Sequence, residues 1–175
     1  EYGKKFGLNM DKVEKSLAVA LGAGVTTNPM QMAQAYGTFA NGGVMNDAHL
    51  ITKIENASGQ VVKSHSQKST RVSGSTTDKM TNMMLGTFSN GTGVNAAPYG
   101  YTMAGKTGTT ETSFNKDLSG DQWVIGYTPD VVISQWLGFP TTDEGHYLTD
   151  SSAGTASEIF RNVANRVLPY TDGTQ

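Results

Sequence analysis

The sequence contains no cysteine, and this absence removes several kinds of chemistry. Disulfides, thiolate nucleophiles and cysteine-ligated zinc are excluded. Long apolar runs are also missing, and none approaches the roughly 20 residues that a membrane-spanning helix needs. Neither sign of charge dominates, because 13 Lys and Arg stand against 15 Asp and Glu. We therefore expect no membrane-spanning segment in this chain and no nucleic-acid partner.

The composition is that of one folded domain. The chain has 175 residues, of which 37% are hydrophobic and 16% are charged, and these values are typical of globular domains. The three histidines, His49, His65 and His146, are widely separated in the sequence. We interpret them as surface or loop residues rather than metal ligands, and we expect neither a metal nor a cofactor.

Caps and apolar spacing predict three helices. Asn28 can cap a helix that begins at Pro29 and runs to about residue 40, where Gly42 and Gly43 would end it. A second helix is predicted from Thr77 to about residue 89, and a third over residues 154–168. The methionines of the first two helices are predicted to fill the core: Met30, Met32, Met80, Met83 and Met84.

Other segments favour strands. Residues 50–54 and 60–63 flank a turn-forming tetrapeptide and predict a hairpin. Three further β-like runs, 99–109, 122–128 and 131–139, are joined by connections so short that they predict consecutive antiparallel strands. The pattern indicates an α+β fold in which an antiparallel sheet is flanked by helices.

Residues 105–110 read Gly-Lys-Thr-Gly-Thr-Thr and allow two different interpretations. Residues 100–107 match the phosphate-loop pattern of nucleotide-binding proteins letter for letter. A phosphate loop, however, needs a buried strand before its glycines and a helix directly after its lysine. Gly108 and the threonines that follow it would start a helix poorly, so the alternative of a nucleotide-binding protein is disfavoured.

The same residues are plausible as an edge strand that binds an extended substrate. Gly108 would let a peptide lie close to the backbone, and the unpaired edge amides could bond it. Lys106 offers a positive charge, and Thr107 and Thr109 offer hydroxyl groups. Lys-Thr-Gly on a strand is also a signature of serine transpeptidases and β-lactamases.

Several further motifs occur in the order found in one family. The chain resembles the C-terminal half of the transpeptidase domain of the class A, bifunctional penicillin-binding proteins, which build bacterial peptidoglycan. The Met-Ala-Gln-Ala-Tyr stretch at residues 32–36 favours these enzymes over β-lactamases. The segments that carry the resemblance are residues 21–29, 32–43, 90–93, 104–110, 121–129 and 136–138.

The resemblance implies a fold of the penicillin-binding and serine β-lactamase type and a role for each motif residue. Residues 1–175 would be the C-terminal portion of a transpeptidase domain whose nucleophile-bearing N-terminal portion is absent. Lys106 would hold the substrate carboxylate and the protons of the site. The hydroxyls of Thr107 and Thr109 would bind that carboxylate, Gly108 would line the substrate, and the backbone N–H of Thr109 would stabilise the oxyanion.

The resemblance also implies a function, partners and a location. The parent would be a D-Ala-D-Ala transpeptidase that cross-links stem peptides through a serine acyl-enzyme and is acylated by β-lactams. Its partners would be peptidoglycan stem peptides, β-lactams and the N-terminal fragment of the same domain. It would be anchored to the bacterial cytoplasmic membrane and act on the extracytoplasmic face. This fragment alone is expected to be inactive.

The nucleophile is not found in this sequence. Its single Ser-x-x-Lys runs from Ser113 to Lys116 and overlaps its single Ser-x-Asn. Two residues three apart share a face only on a helix, and the polar, turn-rich residues 115–120 disfavour one. We therefore interpret Ser113 as a loop residue. A noncatalytic binding module that keeps the substrate strand is the alternative to a transpeptidase fragment.

Overall fold

The computed structural model describes residues 1–172 of the chain. Its α-helices are α1 (Tyr2–Lys5), α2 (Pro29–Ala40), α3 (Gly74–Ser89) and α4 (Thr155–Val167). Its strands are β1 (Val44–Asn46), β2 (Lys53–Glu55), β3 (Val61–Ser64), β4 (Ser69–Arg71), β5 (Ala104–Glu111), β6 (Ser119–Tyr127) and β7 (Val132–Gly138). Short 3₁₀ helices occupy Leu17–Leu21, Val94–Ala96 and Leu168–Tyr170. Within residues 1–172, every helix falls short of the length and apolar character needed to cross a membrane.

Local sequence accounts for the bounds of α2. The side chain of Asn28 accepts a hydrogen bond of 2.9 Å from the backbone N–H of Gln31, and Pro29 occupies the first helical position. The helix stops before Gly42 and Gly43, whose φ angles of 73° and 94° lie in the left-handed region. The predicted start and end of this helix are both confirmed.

The strands form three separate antiparallel groups. β1 pairs with β4, β2 pairs with β3 as the predicted hairpin, and β5, β6 and β7 form a three-stranded sheet in that order. The predicted succession of three antiparallel strands is therefore confirmed. The first of them begins at Ala104 rather than at residue 99, because a turn with Gly100 at a φ of 76° precedes it.

Helices cover both faces of the three-stranded sheet. Alternate residues of β6 point to opposite faces. Val124 packs with Phe160 of α4 on one face, while Tyr127 packs with Met84 of α3 on the other. A Cβ added to Gly126 would lie 2.8 Å from the Phe160 ring, so α4 approaches the sheet closely at a position without a side chain. This arrangement confirms the predicted α+β fold with helices flanking an antiparallel sheet.

The methionines do not all fill the core. Met84 is buried and Met80 is half-buried, because they lie four residues apart on the side of α3 that faces the sheet. Met83 lies to one side of this stripe and is 65% exposed, and Met30 at the start of α2 is also exposed. The prediction was wrong for these two residues, since apolar spacing alone does not fix which stripe of a helix meets the sheet.

Candidate active site

The Lys-Thr-Gly segment lies on an edge strand. β5 pairs with β6 in a regular register from Ala104 opposite Tyr127 to Thr109 opposite Gln122. The register then shifts between Thr109 and Glu111. Among residues 1–172, no strand pairs with the other side of β5. The predicted edge position is confirmed, and an unpaired strand edge can bind an extended peptide through its backbone.

The register divides the four candidate residues between two faces. Residues directly opposite each other in an antiparallel pair share a face. Thr107 and Thr109 therefore lie on the face covered by α4, together with Val124 and Gln122. Lys106 and Gly108 lie on the other face. The Lys106 side chain is exposed, and its Nζ donates a hydrogen bond of 2.8 Å to the carbonyl oxygen of Thr107.

The two glycines of β5 have different reasons for lacking a side chain. A Cβ at Gly105 would overlap the carbonyl oxygen of Ile125 and lie 2.6 Å from the Phe88 ring. A Cβ at Gly108 would meet only Trp123, at an ordinary contact distance of 3.5 Å. Internal packing thus requires a glycine at position 105, whereas position 108 has room for a side-chain carbon or for a ligand. The open space at Gly108 fits a ligand that lies against the strand.

Thr107 is fixed by the turn that follows α3. Its Oγ1 lies 2.5 Å from Oγ1 of Thr92, and its side chain is almost fully buried, with 6% exposed. The turn is narrow, because a Cβ at Gly91 would lie 2.9 Å from the carbonyl oxygen of Gly86. Two of the motifs that carry the resemblance, residues 90–93 and 104–110, are therefore joined directly by a hydrogen bond.

Thr109 is fixed by the loop that precedes α4. Its Oγ1 donates a hydrogen bond of 2.8 Å to Oγ of Ser152 and accepts one of 3.0 Å from the backbone N–H of Ser152. Sequence analysis did not identify Ser152. No local pattern connects it with Thr109, because the contact depends on how the loop returns to the sheet.

Asp150 anchors the same loop. Its carboxylate accepts hydrogen bonds from the Gln122 side-chain amide at 2.9 Å and from the backbone N–H of Thr155 at 2.7 Å. These two donors, the Gln122 amide first, hold the pKa of Asp150 below its usual value. Gly154, not Asp150, is the N-cap residue of α4, so the usual helix-start pattern in the sequence does not indicate this role.

The two competing motifs do not have the structures that their chemistries require. Lys106 lies in the middle of β5 and no helix follows it, so the segment is not a phosphate loop. Residues 112–118 form the turn between β5 and β6, in which Thr112 Oγ1 accepts from the N–H of Asn115. Ser113 and Lys116 are exposed in this turn and share no helix face, as predicted.

Two of the three histidines are closer together than the sequence indicates. The rings of His49 and His65 stack with centroids 3.8 Å apart, and Nε2 of His65 lies 3.3 Å from a carboxylate oxygen of Asp47. Both rings line a cavity of about 490 Å³ beside the β2–β3 hairpin, away from β5. The interpretation of these histidines as loop residues holds for His49 and His65, which lie outside the helices and strands, although their two rings are in contact. Within the described part of the chain, no group of three or more His, Asp or Glu residues could hold a metal ion.

The chain is similar to known penicillin-binding proteins. A family model described as "Penicillin binding protein transpeptidase domain" matches residues 2–165. The chain is 64% identical over 175 residues to penicillin-binding protein 2a of Streptococcus pneumoniae strain D39, covering 99% of this chain and 24% of that protein. It is 33% identical over 169 residues to penicillin-binding protein 1F of Bacillus subtilis, covering 93% of this chain and 23% of that protein.

Solved structures give the same result. The penicillin-binding protein PonA1 of Mycobacterium tuberculosis superposes with a TM-score of 0.77 at 25% identity, over 94% of this chain and 44% of that one. The complex of PonA1 with penicillin V gives a TM-score of 0.74 over the same shares. The chain spans about a quarter of the length of the curated relatives reported above, and less than half of the PonA1 chain.

Proposed function

Because the chain belongs to the family of penicillin-binding protein transpeptidase domains, we propose that it supplies the substrate strand of a peptidoglycan D,D-transpeptidase. Residues 1–175 are then the C-terminal portion of the catalytic domain. The observation that carries this proposal is β5, an edge strand with Lys106 exposed on it and with open space at Gly108. Such a strand can align an extended peptide or a β-lactam by backbone hydrogen bonds.

The proposed reaction uses a serine that lies outside this chain, in the N-terminal portion of the domain. The serine oxygen attacks the carbonyl carbon of the penultimate D-alanine of a stem peptide, and the serine proton passes to the departing amine of the last D-alanine. An amine of a stem peptide on a neighbouring peptidoglycan strand then attacks the ester, and the serine oxygen regains a proton. Peptide bonds are broken and formed in equal number, so no external energy source is needed.

The residues of β5 have distinct proposed roles in this reaction. Lys106 attracts the terminal carboxylate of the donor peptide and takes part in the proton transfers. The hydroxyl of Thr109 binds the carboxylate, the hydroxyl of Thr107 joins it only by leaving its buried contact with Thr92, and Gly108 leaves space for the peptide backbone. The N–H of Thr109 donates to the oxyanion of the tetrahedral intermediate, and removal of one such donor costs about 3 kcal/mol in comparable acyl-transfer sites.

The partners and location follow from the same proposal. The N-terminal portion of the domain packs against this chain and brings the serine to the free edge of β5. Peptidoglycan stem peptides are the substrates, and β-lactams acylate the serine because they imitate the donor. The parent protein is anchored in the bacterial cytoplasmic membrane and acts on the extracytoplasmic side, where peptidoglycan lies.

Covalent labelling with a fluorescent penicillin tests the proposal. We expect label on the full-length protein that contains this chain, at a serine before residue 1, and no label on residues 1–175 alone. Label on residues 1–175 alone would place the nucleophile in this chain, with Ser113 as the first candidate. Absence of label from the full-length protein would support a noncatalytic binding module instead.

A further inference from the structure

Two hydrogen bonds join Thr109 and Ser152. A threonine hydroxyl has one hydrogen and two lone pairs. In this structure the hydrogen of Thr109 is donated to Oγ of Ser152, and one lone pair accepts the backbone N–H of Ser152. The hydroxyl therefore has a lone pair left but no hydrogen to offer.

A carboxylate cannot bind to the Thr109 hydroxyl in that state. An ionised carboxylate only accepts hydrogen bonds, so it repels a free lone pair and requires the hydroxyl hydrogen. Breaking the bond to Ser152 without replacement would remove a partner from the hydroxyl of Ser152, a residue that is only 5% exposed. The role proposed above for Thr109 thus requires a change at Ser152.

We propose that Ser152 is a positioning residue that prepares Thr109 for the substrate carboxylate by reversing their shared hydrogen bond. This inference rests on the proposed function. Within residues 1–172, no other acceptor takes the Ser152 hydroxyl hydrogen, so this hydrogen is available to turn toward Oγ1 of Thr109. Thr109 then accepts two hydrogen bonds from Ser152 and donates its own hydrogen to the carboxylate. All bonding positions of Thr109 are then used.

The surroundings hold Ser152 in place for this exchange. Its carbonyl oxygen accepts a hydrogen bond of 2.5 Å from Oγ of Ser157, in the first turn of α4. Two residues earlier, the carbonyl oxygen of Asp150 accepts hydrogen bonds of 2.6 Å from both Ser119 and Gln122 of β6. The Ser152 hydroxyl therefore lies in a loop that is hydrogen-bonded to the same sheet as Thr109. A hydrogen bond donated to the Thr109 hydroxyl polarises it and so strengthens the hydrogen bond that Thr109 donates in turn.

Acylation kinetics of the full-length protein test this role. The second-order acylation rate constant is measured with a penicillin that carries its carboxylate and with the methyl ester of the same penicillin. Ser152→Ala is expected to lower the rate constant about fivefold for the carboxylate form, the effect of one hydrogen bond. For the ester it should change less than about twofold. Ser152→Thr, which keeps the hydroxyl, should restore the rate.

Ser151→Ala is the matched control, because Ser151 is an exposed neighbour whose hydroxyl accepts only from the N–H of Ala153, at 3.3 Å, among the described residues. It should leave both rate constants unchanged. If Ser152→Ala folds poorly, Ser152→Cys keeps a side chain of similar size with a weak donor. This variant must then show the same selective loss.

A double-mutant cycle separates positioning from a general structural effect. Thr109→Val removes the hydroxyl through which Ser152 is proposed to act, so Ser152→Ala should have no further effect in that background. A persisting loss there, or an equal loss with penicillin and its ester, overturns the role of Ser152 while leaving the proposed function intact. Absence of acylation in the wild-type protein overturns both.

Discussion

The three-stranded sheet and the β2–β3 hairpin are both antiparallel, yet they differ completely in burial. Seven of the nine residues of β6 are buried, whereas every residue of β2 and β3 is exposed. One face of the sheet is covered by α4 together with Phe88 at the end of α3, and the other face is covered by α2 and the rest of α3. The hairpin is held within the described chain mainly by its own backbone pairing and by a turn around Asn56. The candidate site therefore belongs to the buried three-stranded sheet and not to the hairpin.

The largest expected difference between the two regions is in the free energy of local opening. Phe160→Ala removes a fully buried ring that packs against Phe88 and leaves a cavity in the core of the sheet. We expect a loss of about 3–5 kcal/mol, measured by hydrogen exchange of β6 amides in the full-length protein. Val62→Ala in the hairpin, where the side chain is 67% exposed, should cost less than about 1 kcal/mol. A loss at Val62 as large as that at Phe160 would mean that another part of the protein covers the hairpin.

A second comparison sharpens the contrast within β5 itself. Gly105→Ala forces a methyl group against the Ile125 carbonyl and the Phe88 ring, and we expect a destabilisation of about 3 kcal/mol. Gly108→Ala should leave hydrogen exchange in the sheet nearly unchanged, because the added Cβ meets only Trp123. The same variant should slow penicillin acylation at least tenfold if a ligand lies against this position. Normal acylation of Gly108→Ala would contradict the proposed use of that space.

Acid should weaken the loop before α4 more than the loop at residues 143–146. The pKa of Asp150 is lowered in the folded protein, so its contribution to stability is complete above the unfolded pKa of about 3.9 and is lost as pH falls through the lower folded pKa. Asp150→Asn should therefore lower the melting temperature at pH 7, and the difference should shrink below about pH 4. The pKa of Asp143 is also lowered, first by the Gly145 N–H, but its partners are local. Asp143→Asn should have the smaller effect, and equal effects would refute the anchoring role of Asp150.

The smallest effect is expected at the tip of the hairpin. The Asn56 side chain accepts hydrogen bonds from the backbone N–H groups of Ser58 and Gln60, at 3.1 and 2.9 Å. Asn56→Ala should loosen residues 53–64 by about 1 kcal/mol in hydrogen exchange. It should leave exchange in β5–β7 and penicillin acylation unchanged. A parallel change in β5 would show that the two regions are coupled and would invalidate their separate treatment.

The site was predicted in part. Lys106–Thr109 stand out in the sequence because a lysine, a glycine and two hydroxyls alternate along one strand, and both the strand and its edge position are confirmed. Their catalytic and substrate-binding roles stay predictions. The partners of the two hydroxyls, Thr92 and Ser152, could not be predicted as such, because hydrogen bonds between distant segments leave no periodic pattern in the sequence.

The sequence by itself determined the features that depend on near neighbours. The start of α2 at Asn28 and Pro29, its end before Gly42 and the order of three antiparallel strands all follow from caps, left-handed glycines and short connections. These act over a few residues, where the geometry of the chain is nearly fixed. The family resemblance is also confirmed, and the motifs that carry it are short, continuous segments of the sequence.

Only the tertiary structure decided which distant groups meet. In the folded chain Thr92 is hydrogen-bonded to Thr107, Ser152 is hydrogen-bonded to Thr109, and the rings of His49 and His65 stack. Met83 is exposed to solvent, whereas its neighbour Met84 is buried. Each outcome depends on how helices and loops return to the sheet, and small rotations there exchange one set of contacts for another. The sequence supplied the chemical groups of the candidate site, and the packing of α3 and α4 on the sheet determined how those groups are held.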